Sequence, residues 1–491
     1  MGTGPFGEGC SGWVGKDEQK AMEAPGFALQ RAARSQCQIG DIQMGEESAV
    51  RAEEIGKVTV EIEKLIATNN ANALLEKTTT ARRSKTTKGP SIYRVPDYIK
   101  KTTNPDAYRP HLVSLGPFHH GDKALLGMEA HKHRAVAHMV KRSGKPLREF
   151  MAAVKEVAQQ LRSAYENLDK KWHGERFVEL MAIDGCFLLE IMRTFRAFRR
   201  GGEVVDYDDY GPDEPIFSKH GYLYLRCDIM SDMLTLENQV PLLLLQTLWH
   251  VMDPEKLIQR VLEFFGPLVA EVKDPLQGNE GIHPLDVVQR SVGGNRRQCR
   301  ESAKEYSVMP CASDLHEAGI YFKLSPAPNG FVEAVRFGRG VLSIPRMTLY
   351  DNAERVFLNL MAFERLHPGA GNDVTEFVYL MDNLVDTTGD VALLKSKGII
   401  KSGLGSDEAV VNLINMVLTR GAVMSRDSSL RDVLQDANAH RDRTWNKWRA
   451  SLIHTYFSNP WVFISLVAAI ILLVATLLQT AYTVVPFYQN K

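Results

Sequence analysis

The stretch Gly116–Asp122 reads GPFHHGD and sets His119 and His120 side by side in a turn. His111 lies just before it and His131, His133 and His138 just after. Imidazoles at this density suggest two chemistries, metal ligation and proton transfer. A metal needs three or four convergent ligands, often with two histidines at i and i+4 on one helix face. His131 and His138 are seven positions apart, two helical turns, and His133 falls on another face from His131. Adjacent turn residues such as His119 and His120 point apart. No carboxylate or cysteine completes a regular ligand spacing, so the expectation is histidines hydrogen-bonded to backbone in a proline-rich corner. No metal, cofactor or catalytic residue is assigned on this reading.

Two carboxylate positions raise a second chemical question. Asp184 falls on the apolar face formed by Phe177, Leu180, Met181, Phe187, Leu188, Ile191, Met192 and Phe195. A charge buried there needs a partner. Glu237, Asn238 and Gln239 bunch before Pro241, at a helix junction, where polar side chains cap helix ends and bond across to neighbours. An enzyme with a cryptic site built from His119, His120, Asp184 and Glu237 is the alternative, and it requires those four groups to converge on one pocket. Known catalytic signatures give it no support. The chain has no P-loop, no G-x-S-x-G, no H-E-x-x-H and no kinase set. His316-Glu317 begins like a zincin motif, but Ile320 stands at the second histidine position. GGNRR lacks the strand-to-helix setting of a dinucleotide site, and VVDYDDYGPDE (204–214) lacks the spacing of a calcium loop.

The elements that must carry these residues are mostly helical. Residues 1–45 lack periodicity and are expected to be a disordered extension, and 46–88 to be a helix plus a basic polar linker. A main helical domain is expected over 89–457. Its opening, IYRVPDYIKKTTNPDAYRPHLVSLGPFHHG, has prolines at 96, 105, 110 and 117, which forbids long helices and predicts an irregular segment wrapped on a helical core. Helices are expected over 128–139, 145–168 and 175–198, with Asp228 as the N-cap of another and Pro241 starting the next. Residues 268–308 read as a long loop. AGIYFKL, GFVEAVRFGRGVLSIP and RMTLYD alternate and predict a small antiparallel β element around 318–350. Helical patterns return in 354–366, 373–386, 390–400 and 407–421.

The C-terminus carries the clearest physical signal, WVFISLVAAIILLVATLLQTAYTVVPFY. From Trp461 to Leu478 there is no charge, and with the tail to Val485 a helix here would be ~37 Å long. That crosses a ~30 Å hydrocarbon core. One transmembrane helix is therefore expected at 460–486, contacting the lipid bilayer and followed by a short tail, 487–491. Arg441, Arg443, Lys447 and Arg449 precede it and only Lys491 follows, which places the body in the cytosol. Trp445, Trp448 and Leu452 recur at helical spacing just upstream, either on the leaflet or packed into the body. The N-terminus has no apolar signal region, and Phe6 breaks a myristoylation pattern.

Composition narrows the function classes. Lysine and arginine number 59 against 59 acidic residues, so no nucleic-acid partner is expected. Six scattered cysteines form neither a disulfide framework nor a zinc ribbon, and Cys186 reads as a core residue. No N-x-[ST] occurs, in keeping with a cytosolic body.

Several blocks together resemble one plant family, that of the domain of unknown function 247 (DUF247), with its UPF0481-like membrane proteins. They include the proline-rich block at 92–121, MEAHKHRAV, FVELMAIDGCFLLE, DIMSDMLTLENQVPLLLL, ASDLHEAGIYFK, LSIP, LNLMAFE, DVALLKSKGII and NPW, in that order over roughly 50–487. The sequence departs from the family pattern at His133 and in its first 45 residues. The resemblance implies a mostly helical body, a C-terminal membrane helix and no assigned catalytic residues. Some grass members look tied to pollen–stigma self-incompatibility, which implies recognition or signalling. The expected function is thus a single-pass, C-terminally anchored, non-enzymatic interaction protein of the plasma membrane or an endomembrane. Its protein partners and any small-molecule substrate are not identified by sequence.

Overall fold

In a computed structural model the chain divides into two units, Met1–Thr87 and Lys88–Lys491. The structure describes residues 89–199, 210, 214–252, 257, 261–265, 281–293, 309–325, 331–423, 430–444 and 460–489. The extension 1–45, the helix and linker of 46–88, most of 204–214, and Trp445, Trp448 and Leu452 lie outside the described residues.

The second unit opens as a belt with little regular structure, residues 89–122. Pro96 starts a six-residue helix, α1 (Asp97–Thr102), and Asn104 caps a 3-10 turn, Pro105–Tyr108, by accepting Asp106 N–H. Each proline removes an amide and fixes φ, so the belt continues as extended chain and single turns. Its start is tied to the body by Ser91 and Ile92 N–H donating to Ala164 carbonyl oxygen.

Beneath the belt lie α2 (Glu129–Ser143), α3 (Leu147–Ser163) and α4 (Glu175–Arg199), with α5 (Arg226–Met233) and α6 (Leu242–Met252) following. α4 packs against α2, α3 and α6, so it is the centre of this bundle. That position explains its wide apolar stripe: Phe177, Met181, Phe187 and Ile191 are fully buried. Asp228 does not cap α5. A π-helical segment, Gly221–Leu225, runs directly into α5, so the helix needs no cap there and Asp228 is an exposed first-turn residue.

The expected loop at 268–308 contains a helix, α7 (Pro284–Gly293). Proline at the first helical position and buried Leu285, Val287, Val288 and Val292 account for it. The α8 (Ala312–Glu317) helix then leads into the sheet region.

The β element sits where the alternation places it, but its pairing is mixed. β1 (Tyr321–Leu324) runs parallel to β3 (Val341–Ile344), and β2 (Arg336–Gly338) runs antiparallel to β3. Arg339 and Gly340, with φ of 53° and 75°, form the two-residue turn between β2 and β3. Phe331–Ala334, expected as strand, is a helical turn, α9, whose Phe331 stacks on Phe377. β4 (Met347–Leu349) leaves this sheet and pairs in parallel with β5 (Ile400–Ser402). Alternation reports which face of a strand is buried, not which strand lies beside it.

The remaining helices are α10 (Ala353–Leu366), α11 (Asp373–Leu384), α12 (Thr388–Ser396) and α13 (Asp407–Asn412). A capping box of Thr387 and Asp390 opens α12. That helix stops at Ser396, short of the expected 400, because Ile400 is used by β5. The α13 helix continues through a π segment, Leu413–Leu418, to Gly421, and α14 (Arg431–Arg441) packs near β2. One continuous hydrophobic core runs from Ile92 to Ala437. The last helix, α15, covers Pro460–Gln489.

Within the core, Phe331 and Phe377 stack at 4.4 Å with 9° between the rings, both nearly inaccessible. Phe377→Ala is expected to cost about 3–5 kcal/mol, read as a lower denaturant midpoint at unchanged slope.

Candidate functional site

The polar residues singled out in sequence meet along the inner side of the belt. Extended chain buried there exposes amides that no helix satisfies, and each must find an acceptor. Asp232, fully buried near the end of α5, accepts N–H from His111, Leu112 and Val113 at 2.7–2.9 Å. Arg355 Nη2 neutralises it at 2.8 Å. Asn238 Oδ1 accepts Leu115 N–H at 2.7 Å, while its Nδ2 donates to the carbonyls of Val113 and Asp232. Asp184 accepts Gly116 N–H at 2.8 Å, and Glu237 accepts Val95 N–H at 2.8 Å. Asn359 bridges Leu236 N–H to the Ala107 carbonyl. Gln239 binds the Met233 and Thr235 carbonyls and accepts Leu285 N–H.

Gly116 marks the tightest point. Its φ is +70°, and an added Cβ would lie 2.8 Å from the Tyr165 hydroxyl and 2.9 Å from the Gln239 carbonyl oxygen. Only glycine accepts both the backbone angle and the contact. GPFHHGD is therefore a corner, as the sequence suggested.

The charges in this layer are paired. Lys132, with no exposed surface, reaches Asp184 and Glu129 at 2.8 Å each. Burial alone would lower the Lys132 pKa, but the two carboxylates outweigh it and hold the ammonium charged. Burial also pushes the Asp184 carboxyl up, opposed by Lys132 and by the Gly116 amide. Glu237 stands between Lys100 Nζ at 2.6 Å and His119 Nε2 at 3.3 Å. Its burial acts upward, yet His119, Lys100 and the Val95 amide together bring its pKa below the usual carboxylate value.

Of the four candidate catalytic groups, then, His119 and Glu237 come together. Asp184 is engaged by Lys132 and Gly116, and His120 lies edge-on to Trp172 with its Nδ1 unpartnered. The other histidines disperse: His131 pairs with Glu214 at 2.9 Å, His138 packs on Tyr210, and His111 and His133 are exposed. Among the described residues no group of three or more His, Cys, Asp or Glu side chains is placed to hold a metal. Cys186 is buried, and burial pushes its thiol up to about 12.

Sequence reasoning passed over Asp232, Lys132, Asn359 and His283. Asp232 and Lys132 each sit inside blocks of mixed polarity, where nothing local separates a buried charge from an exposed one. His283 is fully buried, with Nε2 3.1 Å from the Ser91 carbonyl oxygen and Nδ1 accepting the Asp286 amide. Burial lowers its pKa to about 4 against the upward pull of Asp286 and the Ser91 carbonyl, and the amide donating to Nδ1 leaves that nitrogen without a proton.

Two measurements check this layer. Asn238→Ala strands the Leu115 amide and the Val113 carbonyl and takes one of two donors from the Asp232 carbonyl, and a loss of about 2–3 kcal/mol is expected in denaturant unfolding. Asn238→Asp should fare no better, since a carboxylate cannot donate to the two carbonyls. For His283 the depressed pKa means folding excludes its proton. Its contribution is complete above about pH 6.5 and falls away as pH drops toward 4, by on the order of 3 kcal/mol. His283→Gln should flatten the pH–stability curve in that window.

Comparison with known proteins gives the lineage of this arrangement. The chain is 27% identical over 432 residues to UPF0481 protein At3g47200 of Arabidopsis thaliana, covering 82% of this chain and 87% of that one. It is 23% identical over 494 residues to the putative UPF0481 protein At3g02645 of the same plant, covering 79% and 89%. No solved structure matches it. The family described as plant protein of unknown function, DUF247, matches residues 92–475, from the start of the belt into the last helix, and the chain belongs to that family.

Proposed function

We propose that this chain is a single-pass protein held in a membrane by α15, with its helical body on the cytosolic side as a non-enzymatic recognition or signalling scaffold. The observation that carries the reading is the segment Ile464–Tyr482, with mean hydropathy 2.4 and none of it buried. A helix that displays Ile470, Ile471, Leu472 and Leu473 at 52–67% exposure is costly in water and suited to lipid. Its hydroxyls are satisfied internally: Ser465, Thr476 and Thr480 donate to the carbonyls of Trp461, Leu472 and Thr476. That is the condition hydrocarbon imposes on polar groups. Trp461 and Tyr482 bracket the span at interfacial depth, and the basic residues Arg441 and Arg443 precede it.

The scaffold half of the reading draws on the belt. Asp184, Glu237 and Asp232 each have their oxygens engaged by backbone amides and cations, which suits architecture better than turnover. The anchor concentrates such a scaffold near one surface, so weak contacts gain avidity.

Alkaline carbonate extraction tests the anchor. The intact chain is expected in the membrane pellet, and a chain ending before Pro460 in the supernatant. Release of the intact chain by carbonate would overturn the reading.

A further inference from the structure

The π-helical segment Gly221–Leu225 presents the two most exposed large hydrophobic residues among the described residues of the body. Leu223 is 58% and Tyr224 69% exposed, and they are adjacent. The segment is held rigidly from behind. An added Cβ at Gly221 would lie 2.0 Å from the Ile216 carbonyl oxygen, so only glycine lets this turn lie against the Pro215–Ile216 backbone. Tyr222 packs its ring on Phe195 and Phe198 of α4, and Arg226 stacks over Tyr222 at 4.9 Å. The wider turn of a π helix, fixed at its base, pushes Leu223 and Tyr224 outward as a knob.

Cations stand nearest the knob in sequence, with the exposed carboxylate of Asp228 four residues past Tyr224. Lys219 and Arg226 flank it with His220, and no acidic residue occurs from Pro215 to Cys227. Glu214, just before, is occupied by His131 and Arg134, and Asp228 is the first carboxylate after. An exposed leucine and tyrosine rimmed by cations is the chemistry that settles at an anionic lipid interface: apolar tips enter the acyl boundary, the phenol stays at headgroup depth and the cations meet lipid phosphates. Fifteen residues, 445–459, lie between Thr444 and Pro460.

We propose that the Leu223–Tyr224 knob is a second membrane contact, docking the body onto the anionic leaflet in which its own α15 is anchored. The proposal rests on the anchored reading above. In its docked state the body lies down on the bilayer, and neutral lipid or loss of the knob lets it swing free.

The test uses the intact chain in nanodiscs of phosphatidylcholine, with and without phosphatidylserine, and amide hydrogen exchange over 216–228. Slower exchange is expected with phosphatidylserine alone, and it should be lost in the exposed-surface variant Leu223→Ser/Tyr224→Ser and reduced in Lys219→Gln/Arg226→Gln. Incorporation without lipid-dependent protection overturns the knob and leaves the anchor standing, whereas failure to incorporate sinks the anchor and the knob with it. Equal protection in lipid-free detergent also overturns the proposal: if it rises with protein concentration a second copy covers the knob, and if not, the chain's own acidic 204–213 stretch does.

Discussion

Everything in the body is arranged around one demand: the amides of a proline-rich belt are buried without a helix or sheet to bond them. A buried amide left unpaired costs about as much as a lost hydrogen bond, and the belt presents at least six. The solution is side chains acting as a substitute backbone. Asp232 alone serves three consecutive amides, which a neighbouring strand, bonding alternate residues, could not do. The Asp, Glu, Asn and Gln that do this need rigid platforms, and α4, α5 and the 3-10 turn Leu236–Asn238 supply them. The cations follow in turn. Lys132 is in the interior because Asp184 is, and Lys100 and Arg355 reach in from its edge to Glu237 and Asp232.

This view explains why polar clusters that invite a catalytic reading make structural contacts. Glu237 lies between a lysine and a histidine, as many active-site carboxylates do, yet one oxygen already accepts the Val95 amide. Its lowered pKa keeps it ionised, which suits an acceptor in a fixed lattice of donors. The polar interior thereby fixes the shape of the body around it.

Much of the architecture was legible in the sequence for identifiable reasons. The period of apolar residues located α2, α3, α4, α10 and α11, since burial of one helix face leaves that imprint directly. Four prolines announced the belt, and Asp184 on an apolar stripe announced a hidden partner. The partner's identity was not legible: Lys132 is 52 positions away and looks like any surface lysine of an amphipathic helix. Strand partners were illegible for a similar reason, since β4 finds β5 some fifty residues later and no local pattern encodes that choice. The α7 helix was lost in a region judged by its glycines and charges, although Pro284 and four valines or leucines marked it. His119 beside Glu237 was foreseen only as one pair within a larger convergence that the fold does not make.

The belt also has a consequence in time. Its acceptors are synthesised well after it: Asp232 lies about 120 residues downstream of the amides it serves, and Asn359 lies 252 residues beyond Ala107. At roughly 5–20 residues per second, ribosomal synthesis leaves this segment waiting on the order of 10–50 s before its last acceptor emerges. During that interval its apolar residues, Ile92, Val95, Ile99 and Tyr108 among them, have no permanent home. Until those acceptors emerge, the belt is a stretch of apolar side chains and unpaired amides that the growing chain must keep out of wrong contacts.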